Sequence, residues 1–201
     1  VSSGVAKVLG FHVLDSGALY RLTALACMNQ GMDLGDAAAA EKVARLLKPL
    51  FKDGKIYLEG KDVTDAIRTE EVGLNASKIA AYPGVRKALF ELQRRSAVEP
   101  GLVADGRDMG SVVFPEARLK IFLTASAESR AKRRYNQLKE KGISSNIDDL
   151  VSDLKDRDRR DMERSVAPLK PAEGARILDS SGLTLQETID LVLAWYRESN
   201  A

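Results

Sequence analysis

Four short apolar runs, separated by long stretches with helical periodicity, constrain the fold of this chain more than any other feature of its sequence. The runs are His12–Leu14, Leu102–Ala104, Leu119–Leu123 and Ile177–Leu178. Short apolar runs of this kind are typical of strands that are buried on both faces. Strands that alternate with helices form parallel sheets, because a parallel pair needs a long crossover connection. We therefore predict an α/β fold with a parallel sheet and flanking helices.

The stretch from residue 45 to residue 82 departs from this alternation. Two short runs, Lys55–Leu58 and Lys61–Val63, flank the turn dipeptide Glu59-Gly60 and predict a small β-hairpin. We interpret residues 45–82 as an insert at one edge of the sheet. The core domain would then consist of residues 1–44 and 83–201.

Helical periodicity is clearest in three segments. Thr69–Ala80 lies inside the insert, and Pro83–Ser96 follows it with a proline suited to a first helical turn. The last helix begins with Thr184 and Glu187, which have the spacing of a capping box. These signals place helices between and after the predicted strands.

The bulk composition is that of an ordinary globular chain, with 44% apolar and 30% charged residues among its 201. No apolar run approaches the roughly 18–20 residues of a membrane span. The single cysteine, Cys27, excludes an internal disulfide framework and a multi-cysteine zinc site. With no visible signal peptide, we expect a cytoplasmic protein.

Arginine is concentrated in segments 86–95, 130–134 and 157–164, although the formal net charge is only +2. Such clusters fit either nucleic-acid binding or the binding of small phosphorylated ligands. Nucleic-acid binding would need aromatic surfaces for stacking, and aromatic residues form only 5% of the chain. We therefore predict small phosphorylated ligands and no nucleic-acid partner.

Three of the predicted strands end in an aspartate that small or charged residues follow. These loops are 15–17 (DSG), 105–108 (DGRD) and 179–181 (DSS). Ligands of open parallel sheets bind beyond the carboxyl ends of the strands, and small residues let backbone amides approach a phosphate. The DGRD loop favours a binding site, because its charges need partners. For Asp179 we favour the alternative, a cap for the next helix.

Two basic helical segments are further candidates. Arg157, Asp161 and Arg164 have the spacing of one helix face, which also fits a salt-bridged surface helix. Ser129–Tyr135 carries four cations, which fit either a lid over phosphates or a basic surface. Spacing alone does not decide between these alternatives.

Three motifs, in this order, resemble those of the bacterial-type cytidylate kinases, within the P-loop nucleoside monophosphate kinase superfamily. They are Leu14–Arg21 (LDSGALYR), Ala104–Pro115 (ADGRDMGSVVFP) and Arg157–Leu169 (RDRRDMERSVAPL). The similarity covers the chain from about Val5 to the last helix, and the insert is itself a mark of this family. The resemblance implies a parallel-sheet kinase fold with an insert at residues 45–82 that binds the monophosphate. It also implies a helical lid at about residues 126–165.

The resemblance also implies transfer of the γ-phosphoryl group of ATP to CMP or dCMP. The residues it assigns to CMP are Ser16, Arg21, Ser77, Arg86, Arg107, Asp108, Arg157, Asp161 and Arg164. Four of these would surround the phosphate, namely Ser16, Arg21, Arg107 and Arg164. Ser77, Arg86 and Asp108 would read the cytosine ring, while Arg157 and Asp161 would hold the ribose side.

Within that set, the resemblance implies that Arg107, Arg157 and Arg164 are catalytic, because they would neutralise charge during transfer. Arg133 and Arg134 are the lid candidates for the ATP side. Mg²⁺ would enter with ATP, and we assign no side chain as a metal ligand. Members of this family resemble one another in being monomers, so we expect a monomer.

One family feature is missing from these 201 residues. The family begins with a strand and a G-x-x-x-x-G-K-[ST] loop, whereas Val1–Gly4 contains no matching lysine. We expect that the first residues of the protein are not part of this sequence. Two alternatives stay open: a kinase for another nucleoside monophosphate, or a CMP-binding chain that is inactive without this loop.

Overall fold

The computed structural model describes residues 1–163 and 170–200, and within them it does not describe the side chain of Asp161. The chain divides into two compact units, Val1–Met109 and Gly110–Ala201. Each unit is described by itself below. Among the helices of the described residues, none has both the length and the apolar character needed to cross a bilayer.

The first unit is built on two parallel strands, β1 (His12–Asp15) and β5 (Leu102–Asp105). Their register places Asp15 opposite Asp105, so both strands end at the same edge in a carboxylate. Five helices belong to this unit: α1 (Ser2–Leu9), α2 (Ser16–Asn29), α3 (Ala37–Arg45), α4 (Glu70–Ile79) and α5 (Pro83–Arg95). The predicted parallel strands and the flanking helices are therefore present.

The core of the first unit is formed by strand β1 and by the inner faces of α2, α4 and α5. Leucine, isoleucine and valine side chains less than 2% exposed are Leu14, Leu19, Leu22, Ile79, Val85 and Leu89. Cys27 is buried in the same helix as Leu19 and Leu22. The burial of these side chains holds α2 against the core, and the first turn of α2 follows β1 directly.

The predicted hairpin is confirmed and belongs to a three-stranded antiparallel sheet. Its strands are β2 (Pro49–Lys52), β3 (Lys55–Leu58) and β4 (Lys61–Asp62). Both connecting turns have positive φ at their two central residues: 53° and 74° at Asp53-Gly54, and 51° and 78° at Glu59-Gly60. This backbone twist matches that of the paired strands. A 3₁₀ turn, Ala66–Arg68, then leads to α4.

The second unit contains a second pair of parallel strands, β6 (Ile121–Thr124) and β7 (Arg176–Asp179). Its helices are α6 (Ala127–Glu140), α7 (Ile147–Glu163) and α8 (Leu185–Glu198). A π-helical turn, Met109–Val113, follows β5 and crosses the boundary between the units. Leu178, Ile189 and Leu193 are buried in this unit.

Several predicted boundaries need small corrections. Strand β6 begins at Ile121 instead of Leu119, because its pairing starts where Arg176 donates to the Lys120 carbonyl at 2.9 Å. Helix α4 begins at Glu70, since Thr69 is its cap and accepts a hydrogen bond from the Val72 amide. The capping box between Thr184 and Glu187 is present as predicted.

Candidate functional site

Two loops meet at the carboxyl edge of the first unit's parallel pair. One is the start of α2 after Asp15, and the other is the DGRD loop after β5. They approach so closely that a Cβ placed on Gly106 would lie 2.8 Å from the Cβ of Ser16. A residue larger than glycine at position 106 would therefore displace one of the loops. The predicted residue Ser16 is part of this contact, and the predicted residue Arg107 follows Gly106 in the sequence.

The carboxyl group of Asp15 is electrostatically strained at this edge. Burial raises the pKa of Asp15 above its usual 3.8, and the nearby negative charge of Asp105 raises it further. The amides of Ala18 and Gly17 and the charge of Arg68 lower it, but by less. A cation close to this carboxylate pair would remove the repulsion, which makes the edge suitable for a ligand that brings positive charge.

The predicted phosphate ligand Arg21 is held by the segment between the small sheet and α4. Its Nη1 donates to the carbonyl of Ile67 at 2.9 Å. Its guanidinium also lies against Gly73 of α4, where an added Cβ would be 3.1 Å from both terminal nitrogens. The other predicted residue of α4, Ser77, is exposed, and its hydroxyl donates to the carbonyl of the same Gly73 at 3.2 Å. Arg21 and Ser77 are therefore brought together at Gly73.

Two of the three predicted readers of the cytosine ring, Arg86 and Asp108, act on a residue that the sequence did not single out, Tyr20. Tyr20 lies in the first turns of α2, where burial raises the pKa of its phenol above the usual 10.0 and the charge of Arg86, in the first turn of α5, lowers it. The charge of Asp108 also acts on the Tyr20 phenol. The only sequence signal for this role was the position of Tyr20 inside the LDSGALYR motif.

Six of the predicted residues lie in the first unit. They are Ser16, Arg21, Ser77, Arg86, Arg107 and Asp108. Arg86 and Arg107 are exposed, while Asp108 is half-buried. The guanidinium group of an exposed arginine can donate two parallel hydrogen bonds to an anion such as a phosphate.

In the second unit, the predicted ATP-side residue Arg133 is held by the loop after β7. Its Nη2 donates to the Ser180 carbonyl at 2.6 Å, and its Nη1 approaches the Ser180 hydroxyl at 3.3 Å. Arg134 is exposed on α6, and Arg157 is exposed on α7. Arg164 lies outside the described residues, and so does the side chain of Asp161.

Asp179 stabilises its own loop and does not cap helix α8. Its carboxylate accepts from the Ser181 amide at 2.9 Å and from the Ser181 hydroxyl at 2.6 Å, whereas Thr184 caps α8. These hydrogen bonds lower the pKa of Asp179. The Ser181 hydroxyl in turn accepts from the Ser126 amide at the start of α6. The favoured helix-cap interpretation is therefore wrong in detail, because the partner lies two residues away in the loop.

Within the described part of the chain, no three histidine, cysteine or acidic side chains cluster closely enough to hold a metal ion.

Comparison with known proteins agrees with the motifs. The family model described as cytidylate kinase matches residues 1–198. A cytidylate kinase of Bordetella bronchiseptica is 58% identical over 197 residues, which cover 98% of this chain and 88% of that protein. Cytidylate kinases of Cupriavidus necator and Burkholderia thailandensis are each 54% identical, again over 98% of this chain, and over 88% and 87% of the relatives. The chain belongs to the cytidylate kinase family.

Proposed function

We propose that this chain is a cytidylate kinase, which transfers the γ-phosphoryl group of ATP to CMP or dCMP and forms CDP or dCDP. The observations that carry the proposal are the match to the cytidylate kinase family over residues 1–198 and the close approach of the DGRD loop to the start of α2, at the carboxyl edge of β1 and β5. In this loop, Asp108 offers an acceptor for a base next to backbone that suits a phosphate.

Asp108 gives the site its preference for cytosine. Cytosine presents an exocyclic amine, from which the Asp108 carboxylate accepts, while Arg86 and Ser77 donate to N3 and O2. Uracil would place a carbonyl against the carboxylate and leave a buried acceptor unpaired. Such a mismatch costs roughly 1–3 kcal/mol, which corresponds to about tenfold to a hundredfold in affinity. We therefore expect CMP and dCMP to bind well ahead of UMP.

The phosphate of CMP is assigned to Ser16, Arg21 and Arg107. Ser16 lies at the N-terminus of α2, where backbone amides favour an anion. Arg21 uses one donor on Ile67 and keeps others for the phosphate. Arg164 and Arg157 remain our predicted further contacts with the phosphate and the ribose side, together with Asp161. These arginines would neutralise charge as the phosphoryl group moves between two anions.

Mg²⁺ enters with ATP in this proposal. The carboxylates of Asp15 and Asp105 fit such a cation, because they are oxygen donors whose mutual repulsion it would relieve. When bound, the ion supplies charge neutralisation at the phosphates. Arg133 and Arg134 stay our proposed contacts for the ATP side.

The proposed division of labour follows the predicted organisation. Residues 45–82 act as the insert that binds the monophosphate, and residues from about 126 to 165 act as the lid. The three-stranded sheet and α4 both fall within the insert. We further propose that the protein works as a monomer in the cytoplasm.

The proposal is tested by supplying the chain with ATP, Mg²⁺ and CMP and measuring CDP. Arg107→Ala should lower turnover by about 10³-fold or more, since one charge-neutralising arginine contributes that much to phosphoryl transfer. Arg95→Ala, which changes an exposed arginine at the end of α5, is the matched control and should leave turnover unchanged. Circular dichroism should show that both variants are folded.

The other outcomes separate the alternatives. Equal or faster turnover with UMP or AMP would show a monophosphate kinase of different specificity. Binding of CMP with no CDP formed would show a CMP-binding chain without transfer activity. Turnover that Arg107→Ala does not change would remove Arg107 from the reaction.

A further inference from the structure

Arg130, near the start of α6, joins the end of strand β6 to helix α7. Its Nε donates to the carbonyl of Ala125, the residue that follows β6, at 3.0 Å. Its Nη1 donates to Oδ1 of Asp158 at 2.9 Å, and its Nη2 donates to Oδ2 of the same carboxylate. One planar guanidinium therefore ties Asp158, and the turn of α7 that carries it, to the end of a strand of the second unit.

Asp158 belongs to the face of α7 that is partly shielded from solvent. Val151, Leu154 and Asp158 are half-buried and have the spacing of one helix face. The hydrogen bonds from Arg130 are the largest effect on the pKa of Asp158 and lower it below its usual 3.8, although burial opposes them. Asp158 is therefore ionised at neutral pH and pairs with Arg130 as a charged group.

Arg157 precedes Asp158 on α7 and lies on a different face of the helix. Successive residues of an α-helix are about 100° apart around its axis, so the contact between Asp158 and α6 also sets the direction of Arg157. Arg157 is exposed. Any rotation of α7 about its axis would therefore carry the Arg157 guanidinium to a new position.

An arginine that neutralises charge during phosphoryl transfer has to be held in place, because a misplacement of about 1 Å can cost about 10²-fold in rate. A second ion pair, between Lys155 and Glu128, joins the same two helices at 3.0 Å, but its side chains are 60% and 64% exposed. Those of Arg130 and Asp158 are only 32% and 36% exposed. Since exposed ion pairs contribute little, the shielded pair is the one suited to fix α7.

We propose that Arg130 and Asp158 are positioning residues for the transfer reaction: their pair fixes the rotation of α7, so that the Arg157 guanidinium meets the ligand in one orientation. This inference rests on the proposed function and extends it to two residues outside the predicted site. Neither side chain need contact a nucleotide. The alternative is a purely structural role, in which the pair only stabilises the second unit.

Asp158→Asn separates the two roles, because it keeps the shape of the side chain and removes its charge. The measurement is kcat for CDP formation from ATP, Mg²⁺ and CMP, at a temperature at which circular dichroism shows every variant folded. We expect kcat to fall about tenfold to a hundredfold. In an Arg157→Ala background, Asp158→Asn should cause no further loss, because the residue through which it acts is gone. Losses that multiply in the double variant would overturn the proposal.

Arg130→Lys breaks the same arrangement from the other side. It keeps the positive charge, but one ammonium group cannot reproduce both the fork to Asp158 and the hydrogen bond to Ala125. We expect a melting temperature close to that of wild type and a loss of kcat similar to that of Asp158→Asn. This variant carries the test, alone and in the Arg157→Ala background, should Asp158→Asn fail to fold. An unchanged kcat in Arg130→Lys would contradict the proposal.

Glu128→Gln is the matched control. It breaks the exposed ion pair with Lys155 between the same two helices and should leave kcat unchanged. An equal loss of kcat in Glu128→Gln would show that general loosening of the contact between α6 and α7 is the cause, and would overturn the proposal.

The remaining outcomes distinguish this inference from the proposed function. If the wild-type chain forms CDP and both Asp158→Asn and Arg130→Lys keep its full kcat, this inference fails while the proposed function stands. The same holds if Arg157→Ala keeps the full kcat, because the pair would then have no catalytic arginine to position. If the wild-type chain forms no CDP, the proposed function fails and this inference fails with it.

Discussion

At the scale of single residues, the carboxylate of Asp15 shows how a site can be built at some cost in stability. Burial, and then the charge of Asp105, raise the pKa of Asp15. The folded chain therefore holds the Asp15 proton more tightly than the unfolded chain does. The contribution of Asp15 to the free energy of unfolding therefore falls as the pH rises from about 3.8 through the pKa of the folded chain. Above that pH the contribution stays at its lower value.

Asp15→Asn removes this charge while preserving the shape of the side chain. We expect the variant to melt at a higher temperature than wild type at pH 7, without nucleotide or Mg²⁺. The difference should disappear below about pH 3.8, where the aspartate is protonated in both states. Thermal melts across pH 3 to 8 measure this.

Asp179→Asn is the control of opposite sign. Its hydrogen bonds with Ser181 lower the pKa of Asp179, so the ionised carboxylate stabilises the folded chain above the unfolded pKa. That variant should melt lower than wild type at pH 7. If the melting temperature of Asp15→Asn differed from that of wild type by the same amount at every pH, this would contradict the electrostatic explanation.

The candidate site residues could be predicted from local sequence, but the residues with which they interact could not. The sequence placed Asp15, Asp105 and Asp108 after strands, and the structure puts the first two opposite each other. It did not identify Tyr20, because a tyrosine beside an arginine carries no recognisable spacing. The charge of Arg86, which is distant from Tyr20 in the sequence, lowers the pKa of the Tyr20 phenol, and only the fold of the first unit brings the two residues near each other.

At the scale of elements, the cationic side chains of α6 fall into two groups: some form hydrogen bonds with other parts of the second unit, and others are exposed to solvent. Arg130 forms a bidentate pair with Asp158 of α7, and the Nη1–Oδ1 distance is 2.9 Å. This pair lowers the pKa of Asp158 and lies partly out of solvent. Arg133 is held by Ser180, while Lys132 and Arg134 are exposed. Part of the basic cluster therefore joins elements of the second unit.

A double-mutant cycle between Arg130→Ala and Asp158→Ala should show coupling of about 0.5–1 kcal/mol in urea unfolding, because the pair is bidentate and partly shielded. The control cycle is Lys155 with Glu128, which joins the same two helices at 3.0 Å but is 60% and 64% exposed. We expect no measurable coupling there. Equal coupling energies in both cycles would contradict the claim that shielding from solvent strengthens the pair between Arg130 and Asp158.

Elements that depend on local signals were predicted well. The hairpin, the capping box at Thr184 and the parallel strands follow from turn dipeptides, capping residues and apolar runs, whereas the cap predicted at Asp179 is wrong. Strand β2 was missed, because Pro49 disfavours a strand and its pairing partner β3 begins only after the Asp53-Gly54 turn. The pairing of β1 with β5 joins residues ninety positions apart, so the register could not be read from local sequence.

At the scale of the whole molecule, the order of three motifs predicted both the fold class and the family. The family match over residues 1–198 confirms that prediction. Six of the predicted site residues, from position 16 to position 108, belong to the first unit, and their roles stay predictions. The roles of Arg157, Asp161 and Arg164 remain predictions, and the last of these lies outside the described residues.

The central claim, selective binding of CMP, is tested most directly by titrating this chain with CMP, UMP and AMP in a calorimeter without ATP. We predict that CMP binds at least about tenfold more tightly than UMP or AMP, because only cytosine satisfies Asp108 and Arg86 together. Comparable affinities for the three nucleotides, or no binding of CMP, would contradict the account of the site.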